Sequence, residues 1–330
     1  MPSFLCTFNV PGPAVEMLRE AGEVDVVEGI SREDFEAAVT GGEYDAVIQQ
    51  LSQKVDADLM ARATVKGFAN FGVGFNNFDV DAATEHGLLI GNTPDVVSDP
   101  TANIAMLLLL GAARRAYEMQ QLVRDSGGRF QPLQPDEMLS EDVSGTRLGI
   151  VGLGRIGKAM ARRALGFGME VVFVQRAPED REVSDEELGD LAGRVRQVPF
   201  QELIETSDHI SLHVPLAEGT EHLIGEAELR AMKSTAVLVN TARGPVVDEK
   251  ALVAALREGE ISAAGLDVFE DEPELAPGLV DLPNAYLLPH VGSAEKSARA
   301  RMGEMCAENA LAIARGDVPP YPVNPEAKKG

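Results

Sequence analysis

The sequence predicts an α/β protein made of two doubly wound, parallel-sheet domains, and three observations carry that reading. Its 330 residues exceed an ordinary single domain. Short strand-like runs alternate with helical stretches through both halves, the pattern of parallel strands joined by crossover helices. Residues 148–157, Leu-Gly-Ile-Val-Gly-Leu-Gly-Arg-Ile-Gly, run an apolar strand into Gly152, Gly154 and Gly157 and on into the helix-prone Lys158–Ala164. In such a strand–G-x-G-x-x-G–helix unit the first glycine turns tightly, the second admits a pyrophosphate to the backbone, and the third closes the helix onto the strand. The helix start, at Arg155, Ile156 and Gly157, then presents free N–H groups to an anion.

In chain order, strand-like runs are expected at Val24–Val27, Ala46–Ile48, Val65–Ala69 and Leu88–Ile90. Ser98-Asp99-Pro100 supplies capping residues and a proline ahead of one long apolar helix, expected from Thr101 to about Arg124. Residues 125–145, rich in Gly, Pro, Gln and acids, read as an exposed excursion. After the glycine unit, strands are expected at Val171–Val174, Arg196–Val198, Ile210–His213, Ala236–Asn240, Ser262–Asp267 and Tyr286–Pro289. Phe200–Thr206 and Lys250–Glu258 read as helices between them, and a final helix spans the region from Ser293 to Asp317.

Composition narrows the partners. With 53 acidic against 29 basic residues the formal charge is -24, which repels phosphate backbones and anionic lipid alike, so neither nucleic acid nor a membrane is an expected partner. Cys6 and Cys306 stand far apart without C-x-x-C spacing, which argues against a disulfide framework or a thiolate metal site and fits a reducing cytoplasm. No apolar run reaches the length of a bilayer span, and the start lacks the pattern of an export signal.

Four separated blocks carry the chemistry: Gly152–Gly157, Asn240-Thr241-Ala242-Arg243-Gly244, the run from Gly265 to Pro273, and Pro289-His290-Val291-Gly292-Ser293. In this order and spacing the chain resembles the D-isomer-specific 2-hydroxyacid dehydrogenase family over roughly residues 45–315. The resemblance implies a Rossmann nucleotide domain, residues 100–290, inserted into a flavodoxin-like substrate domain of residues 1–99 and 291–330, with catalysis in the cleft. It also implies a homodimer formed through the nucleotide domains, with contact near Thr101–Pro135.

Reducing a 2-keto acid requires a cation for the carboxylate, a hydride donor at one face of the carbonyl, and an acid for the developing alkoxide. Arg243, just past a strand end, offers a planar fork for carboxylate and carbonyl oxygens. His290, also at a strand end, has the proton affinity suited to acid–base work near neutral pH. Glu272, whose place before Pro273 matches the family's catalytic glutamate, is expected to orient the ring and favour its charged form. Read alone, Arg243 is also an ordinary loop charge, and Glu270-Asp271-Glu272 is also a solvated acidic loop. By resemblance, Asp267 meets the nicotinamide carboxamide, and His213, Pro215, Thr220, Thr241, Ala242 and Thr101 line the cofactor. The loop Asn70-Phe71-Gly72-Val73-Gly74 resembles the one that grips the substrate carboxylate, through Val73 and Gly74, although it also reads as a simple glycine turn. His86, His209 and His222 are read as structural, and no metal is expected.

Cofactor choice turns on the end of the second strand of the nucleotide domain, where an NAD-preferring domain normally carries Asp or Glu. Here Gln175 and Arg176 stand in that place, so a 2'-phosphate is not repelled and NADPH is the favoured cofactor, with NADH the competing expectation. Val73 in place of lysine argues against phosphite as substrate, and Glu272 in place of glutamine argues against formate. Without a further C-terminal domain, the long phosphoglycerate dehydrogenases are also disfavoured. The resemblance is strongest to glyoxylate and hydroxypyruvate reductases, although the tryptophan those often carry near residues 129–134 is absent and Phe130 or Leu133 must serve. A reductase for larger 2-keto acids, and a nucleotide-sensing corepressor-like binding protein, remain the alternatives.

Overall fold

A computed structural model describes residues 1–50, 53–175 and 182–328. The chain divides into two compact units, residues 1–97 with 293–330 and residues 98–292.

The first unit is built on β1 (Ser3–Cys6), β2 (Glu23–Val26), β3 (Ala46–Gln49), β4 (Gly67–Asn70) and β5 (Leu89–Gly91), all parallel, in the order β2-β1-β3-β4-β5. This is the flavodoxin-like order. Its crossovers carry α1 (Ala14–Arg19), α2 (Arg32–Thr40), α3 (Ala57–Arg62) and α4 (Val80–Glu85). Ser31, Asp56 and Asp79 start the last three by accepting the backbone N–H of Asp34, Leu59 and Ala82. The sequence reading places no strand at Ser3–Cys6, yet β1 lies between β2 and β3 with Phe4, Leu5 and Cys6 buried. A strand buried on both faces shows an apolar run in place of alternation, and a run this short carries little signal.

The second unit holds β6 (Arg147–Val151), β7 (Glu170–Val174), β8 (Val195–Gln197), β9 (His209–Leu212), β10 (Val237–Asn240), β11 (Ala263–Leu266) and β12 (Ala285–Leu287), again all parallel, in the order β12-β11-β10-β9-β6-β7-β8. The order reverses between β6 and β9, the Rossmann arrangement with its switch point beside the glycine turn.

The expected single helix from Thr101 to Arg124 is instead two, α5 (Ser98–Ala113) and α6 (Ala116–Asp125). The break falls at Arg115, whose backbone is left-handed (φ 53°) and whose guanidinium pairs with Glu118 and donates to the Leu139 carbonyl. The two pieces differ in environment. α5 buries residues around most of its circumference, whereas α6 buries none, so no continuous apolar face runs through both. α7 (Arg155–Gly166), α8 (Asp185–Leu188), α9 (Phe200–Thr206), α10 (Glu226–Ala231) and α11 (Glu249–Glu258) complete this unit, and α12 (Lys296–Ala314) returns to the first, where Cys306, Ala307, Ala310 and Ile313 join the core formed with β1 and β3. Among the described residues no helix is long and apolar enough to cross a membrane.

Candidate active site

The glycine unit turns where β6 meets α7. Gly152 has φ 94°, a left-handed backbone that side chains rarely adopt, and it is backed by the His213 carbonyl. A Cβ on Gly157 would lie 2.2 Å from the Gly152 carbonyl oxygen, so only glycine lets α7 approach the turn this closely. Gly154 differs: a Cβ there would meet nothing within 4 Å, so its backbone faces open space. α7 begins at Arg155 with Gly154 at its N-cap; among the described residues no side chain caps it, and its first turn carries no acid. Arg155 and Gly154 are exposed and Ile156 is half-buried. A helix start leaves its first backbone N–H groups without partners inside the helix and directs the positive end of its dipole outward, a setting suited to an anionic group.

Gln175, immediately past β7, turns back onto this loop, its Oε1 accepting the Leu153 N–H at 2.8 Å. Arg176 lies outside the described residues. Past β9, burial holds the His213 imidazole down to about 4 and therefore neutral. Its Nε2 meets the Ser211 Oγ at 2.9 Å, and its Nδ1 is buried without a hydrogen-bond partner among the described residues. Thr220 ties the following loop together, donating to the Pro215 carbonyl at 2.7 Å and accepting from the Ala217 N–H at 2.9 Å.

The adjacent strands β10, β11 and β12 deliver the remaining candidates at their C-terminal ends, where parallel α/β sheets gather ligand-binding groups. After β10, Asn240 braces the block that follows: its Oδ1 accepts the Ala242 N–H at 2.9 Å and its Nδ2 donates to the Arg243 carbonyl at 2.9 Å. Thr241 is buried, and its Oγ1 has no hydrogen-bond partner among the described residues. Arg243 donates from Nη1 to the Ala242 carbonyl at 2.6 Å. Burial lowers its pKa, and the Glu272 charge opposes that.

After β11, Asp267 is 1% exposed and accepts two backbone N–H bonds, from Val291 and Gly292, each at 2.8 Å. Burial raises its carboxyl above the ordinary range despite these donors and the nearby His290. The same aspartate therefore pins the segment that follows His290. Thr101, at the start of α5, donates to the Gly292 carbonyl at 3.4 Å. His290 takes a left-handed backbone (φ 53°), and its Nδ1 lies 2.7 Å from Glu272 Oε2, while Glu272 Oε1 accepts the Phe269 N–H at 3.0 Å. Burial alone would raise the Glu272 carboxyl; the His290 and Phe269 hydrogen bonds, aided by the Arg243 charge, outweigh it and hold the group below its usual value.

Arg243, Glu272 and His290, separated by up to 47 positions, thus share one end of one sheet together with Asp267, Thr101 and Thr241. Val73 and Gly74 belong to the first unit, where Asn92 Nδ2 donates to the Val73 carbonyl at 2.8 Å and Asn70 Nδ2 to the Gly74 carbonyl at 2.8 Å, fixing their loop. Two side chains that hold backbone in this region have no such role legible in the sequence: Asn240, and Glu249, which accepts the N–H groups of Glu270 and Ala276. Asn240 opens a block already singled out, but Glu249 follows a helix cap, where an acid is expected for the helix alone.

Comparison with known proteins places this geometry. Residues 106–292 match the family described as D-isomer specific 2-hydroxyacid dehydrogenase, NAD binding domain. A glyoxylate reductase of Thermococcus onnurineus is 45% identical over 334 residues, covering 98% of this chain and 96% of that protein. The crystal structure of a glyoxylate reductase from Paecilomyes thermophila superposes with a TM-score of 0.85 at 35% identity, covering 98% of each chain. An NADPH-dependent glyoxylate/hydroxypyruvate reductase from Sinorhizobium meliloti, crystallised with NADP and malonate, gives 0.81 at 32% identity, covering 99% of this chain and 98% of that one. On the matched blocks, the fold and these likenesses together, the chain belongs to the D-isomer-specific 2-hydroxyacid dehydrogenase family.

Proposed function

We propose that this protein reduces a small 2-keto acid, glyoxylate or hydroxypyruvate, to the D-2-hydroxy acid with a nicotinamide cofactor, NADPH in preference to NADH. The observation that carries the reading is the His290–Glu272 pair, 2.7 Å apart and beside Arg243 at the sheet end that follows the glycine turn.

The residues present fit a dinucleotide. The open space over Gly154 at the start of α7 leaves room for a nucleotide, and Thr241 Oγ1 and His213 Nδ1, buried and without a hydrogen-bond partner among the described residues, are polar groups of the kind a bound nucleotide satisfies. When bound, the cofactor supplies the hydride. Gly152, Gly154, Arg155, Ile156 and Gly157 would hold its pyrophosphate, Gln175 and Arg176 its adenosine ribose, and His213, Pro215, Thr220, Thr241, Ala242, Asp267 and Thr101 the rest. The NADPH preference rests on Gln175, a neutral amide where a carboxylate would repel a 2'-phosphate.

Arg243 holds the substrate carboxylate and polarises the carbonyl oxygen with its fork of N–H donors, strengthened by burial. Val73 and Gly74 supply backbone contacts to the same class of anion. His290 gives its Nε2 proton to the oxygen as negative charge develops there, and recovers it from the hydroxyl in the reverse direction. Glu272 accepts the Nδ1–H, which fixes the ring's orientation and leaves Nε2 to face the substrate oxygen.

The assembly we propose is a homodimer in the cytoplasm, contacting near 101–135. Leu122, Val123, Phe130 and Leu133 are exposed large apolar side chains within that stretch, and both cysteines are free. Light scattering on the purified chain reads the mass directly, and a monomer at micromolar concentration refutes this assembly.

The enzymatic reading is tested by following NADPH and NADH oxidation against a panel of 2-keto acids. Glyoxylate or hydroxypyruvate should give the highest kcat/KM, with NADPH ahead of NADH. Oxidation of neither cofactor by any keto acid overturns the reading, and a preference for NADH overturns the cofactor assignment alone.

A further inference from the structure

Glu249 is a carboxylate that the proposed chemistry does not use. It sits at the first position of α11, yet it is only 3% exposed. Asp248 already caps the helix by accepting the Ala251 N–H, so the cap does not require Glu249. Its side chain turns away from the helix and grips the loop that carries Glu272. Oε1 accepts the Glu270 N–H at 2.6 Å and Oε2 the Ala276 N–H at 3.2 Å, so both ends of the loop are held by one carboxylate. The loop answers in kind, since Glu270 Oε2 accepts the Glu249 N–H at 3.3 Å. Glu270 Oε1 in turn engages His222 Nε2 at 2.8 Å, so the Glu270 side chain is held at both oxygens. The loop also packs hard against the turn after Arg243: a Cβ on Gly244 would lie 1.8 Å from the Phe269 carbonyl oxygen. One short segment, residues 243–249, thus bears both the Arg243 cation and the group that clamps the Glu272 loop.

We infer that Glu249 is a positioning residue for the reaction: by holding Glu270 and Ala276 it sets Glu272 against His290 Nδ1 and keeps that pair in register with Arg243. This rests on the roles proposed above for Arg243, Glu272 and His290. An acid in a helix's first turn is favoured while it stays in solvent, but that preference gives no reason to bury Glu249 at a desolvation cost beside the like charges of Glu270 and Asp271. Its geometric consequence falls on Glu272. A displacement of about 1 Å at a catalytic group can cost about a hundredfold in rate.

The test uses the full chain with Glu249→Gln, Glu249→Asp and Glu249→Ala. Each variant is first checked for cooperative thermal unfolding, and the Gln and Asp variants serve if the Ala variant does not fold. Two readouts follow. With glyoxylate and NADPH, kcat should fall about tenfold or more in Glu249→Ala while KM for both substrates stays within about twofold, and Glu249→Gln, which keeps one acceptor, should fall between. The second readout needs no turnover: imidazole 15N chemical shifts of His290 at alkaline pH, assigned by comparison with His290→Gln. The wild-type neutral ring should carry its proton on Nδ1, facing Glu272, and loss of the clamp should move it toward the Nε2–H form. A folded Glu249→Ala or Glu249→Gln that keeps the Nδ1–H ring overturns the inference whatever its turnover. If instead the wild type reduces no keto acid, the functional reading fails, and the 15N spectra still decide whether Glu249 positions the pair.

Discussion

Replacing Glu272 with glutamine tests the proposed proton-transfer arrangement at its tightest contact. The carboxylate serves two donors, His290 Nδ1 at 2.7 Å and the Phe269 N–H at 3.0 Å. A glutamine offers one oxygen to both, and its NH2 faces whichever donor it fails to satisfy. A hydrogen bond to a charged group contributes about 1.5–3 kcal/mol. The His290 and Glu272 side chains are 39% and 34% exposed, so solvent screening places this pair at the low end of that range, about 1.5 kcal/mol. That corresponds to a loss of about tenfold in kcat. KM for the keto acid should stay within about twofold, because the proposed arrangement assigns substrate binding to Arg243. His290→Ala, which removes the proposed general acid, should cost about 100-fold or more. Steady-state NADPH oxidation with glyoxylate reads all three values. Glu272→Gln with unchanged kcat, or with its effect confined to KM, refutes the assigned role. The same substitution has a signature in stability against pH. The Glu272 carboxyl lies below its ordinary value in the folded protein, so its contribution is fully present above the ordinary carboxylate pKa and is lost as pH falls through the folded value. Melting temperatures in the glutamine variant should therefore fall less steeply with acidification over that interval than those of the wild type.

The two glycines Gly154 and Gly157 should separate binding from folding. Gly154→Val meets open space, so the variant should melt like the wild type and lose NADPH affinity by titration; a variant that binds normally removes the pyrophosphate from this turn. Gly157→Ala drives a Cβ to 2.2 Å from the Gly152 carbonyl oxygen and should lower stability by about 1–3 kcal/mol in urea unfolding. Gln175→Glu can keep the bond to the Leu153 N–H while placing a charge where the 2'-phosphate is assigned. It should lower kcat/KM for NADPH about tenfold relative to NADH, and an unchanged ratio dismisses Gln175 as a discriminator. His213 resists protonation down to about 4 in the folded chain, against 6.5 for an ordinary imidazole. Stability should drop as pH falls through that window, because the unfolded chain takes up the proton first, and His213→Gln should flatten that part of the melting profile.

The parts of this molecule that the sequence exposes are those set by local rules. A parallel strand delivers its next residue to one edge of the sheet, so Arg243 after β10, Asp267 after β11 and His290 after β12 could be gathered once the strands were recognised, although their separation along the chain hides the meeting. Gly152 and Gly157 declare themselves because no other side chain fits their backbone geometry or contacts. What stays hidden depends on pairings between distant segments that leave no period or spacing behind. Arg115 breaks the α5–α6 run by reaching Leu139, and nothing near residue 115 announces that partner. Gln175 reads as a residue aimed at the cofactor, and the structure shows its oxygen already given to Leu153, which leaves the amide NH2 as the group available to a ligand. Asp267 is similar: a role toward the carboxamide follows from resemblance, whereas its two backbone bonds to Val291 and Gly292 fix the chain beside His290. Three acids in this unit, Glu249, Asp267 and Glu272, hold backbone N–H groups of the loops around the His290–Glu272 pair. The acidic surplus of this chain is therefore not surface charge alone, since part of it lies inside the second unit, bonded to the backbone of the loops at the end of its sheet.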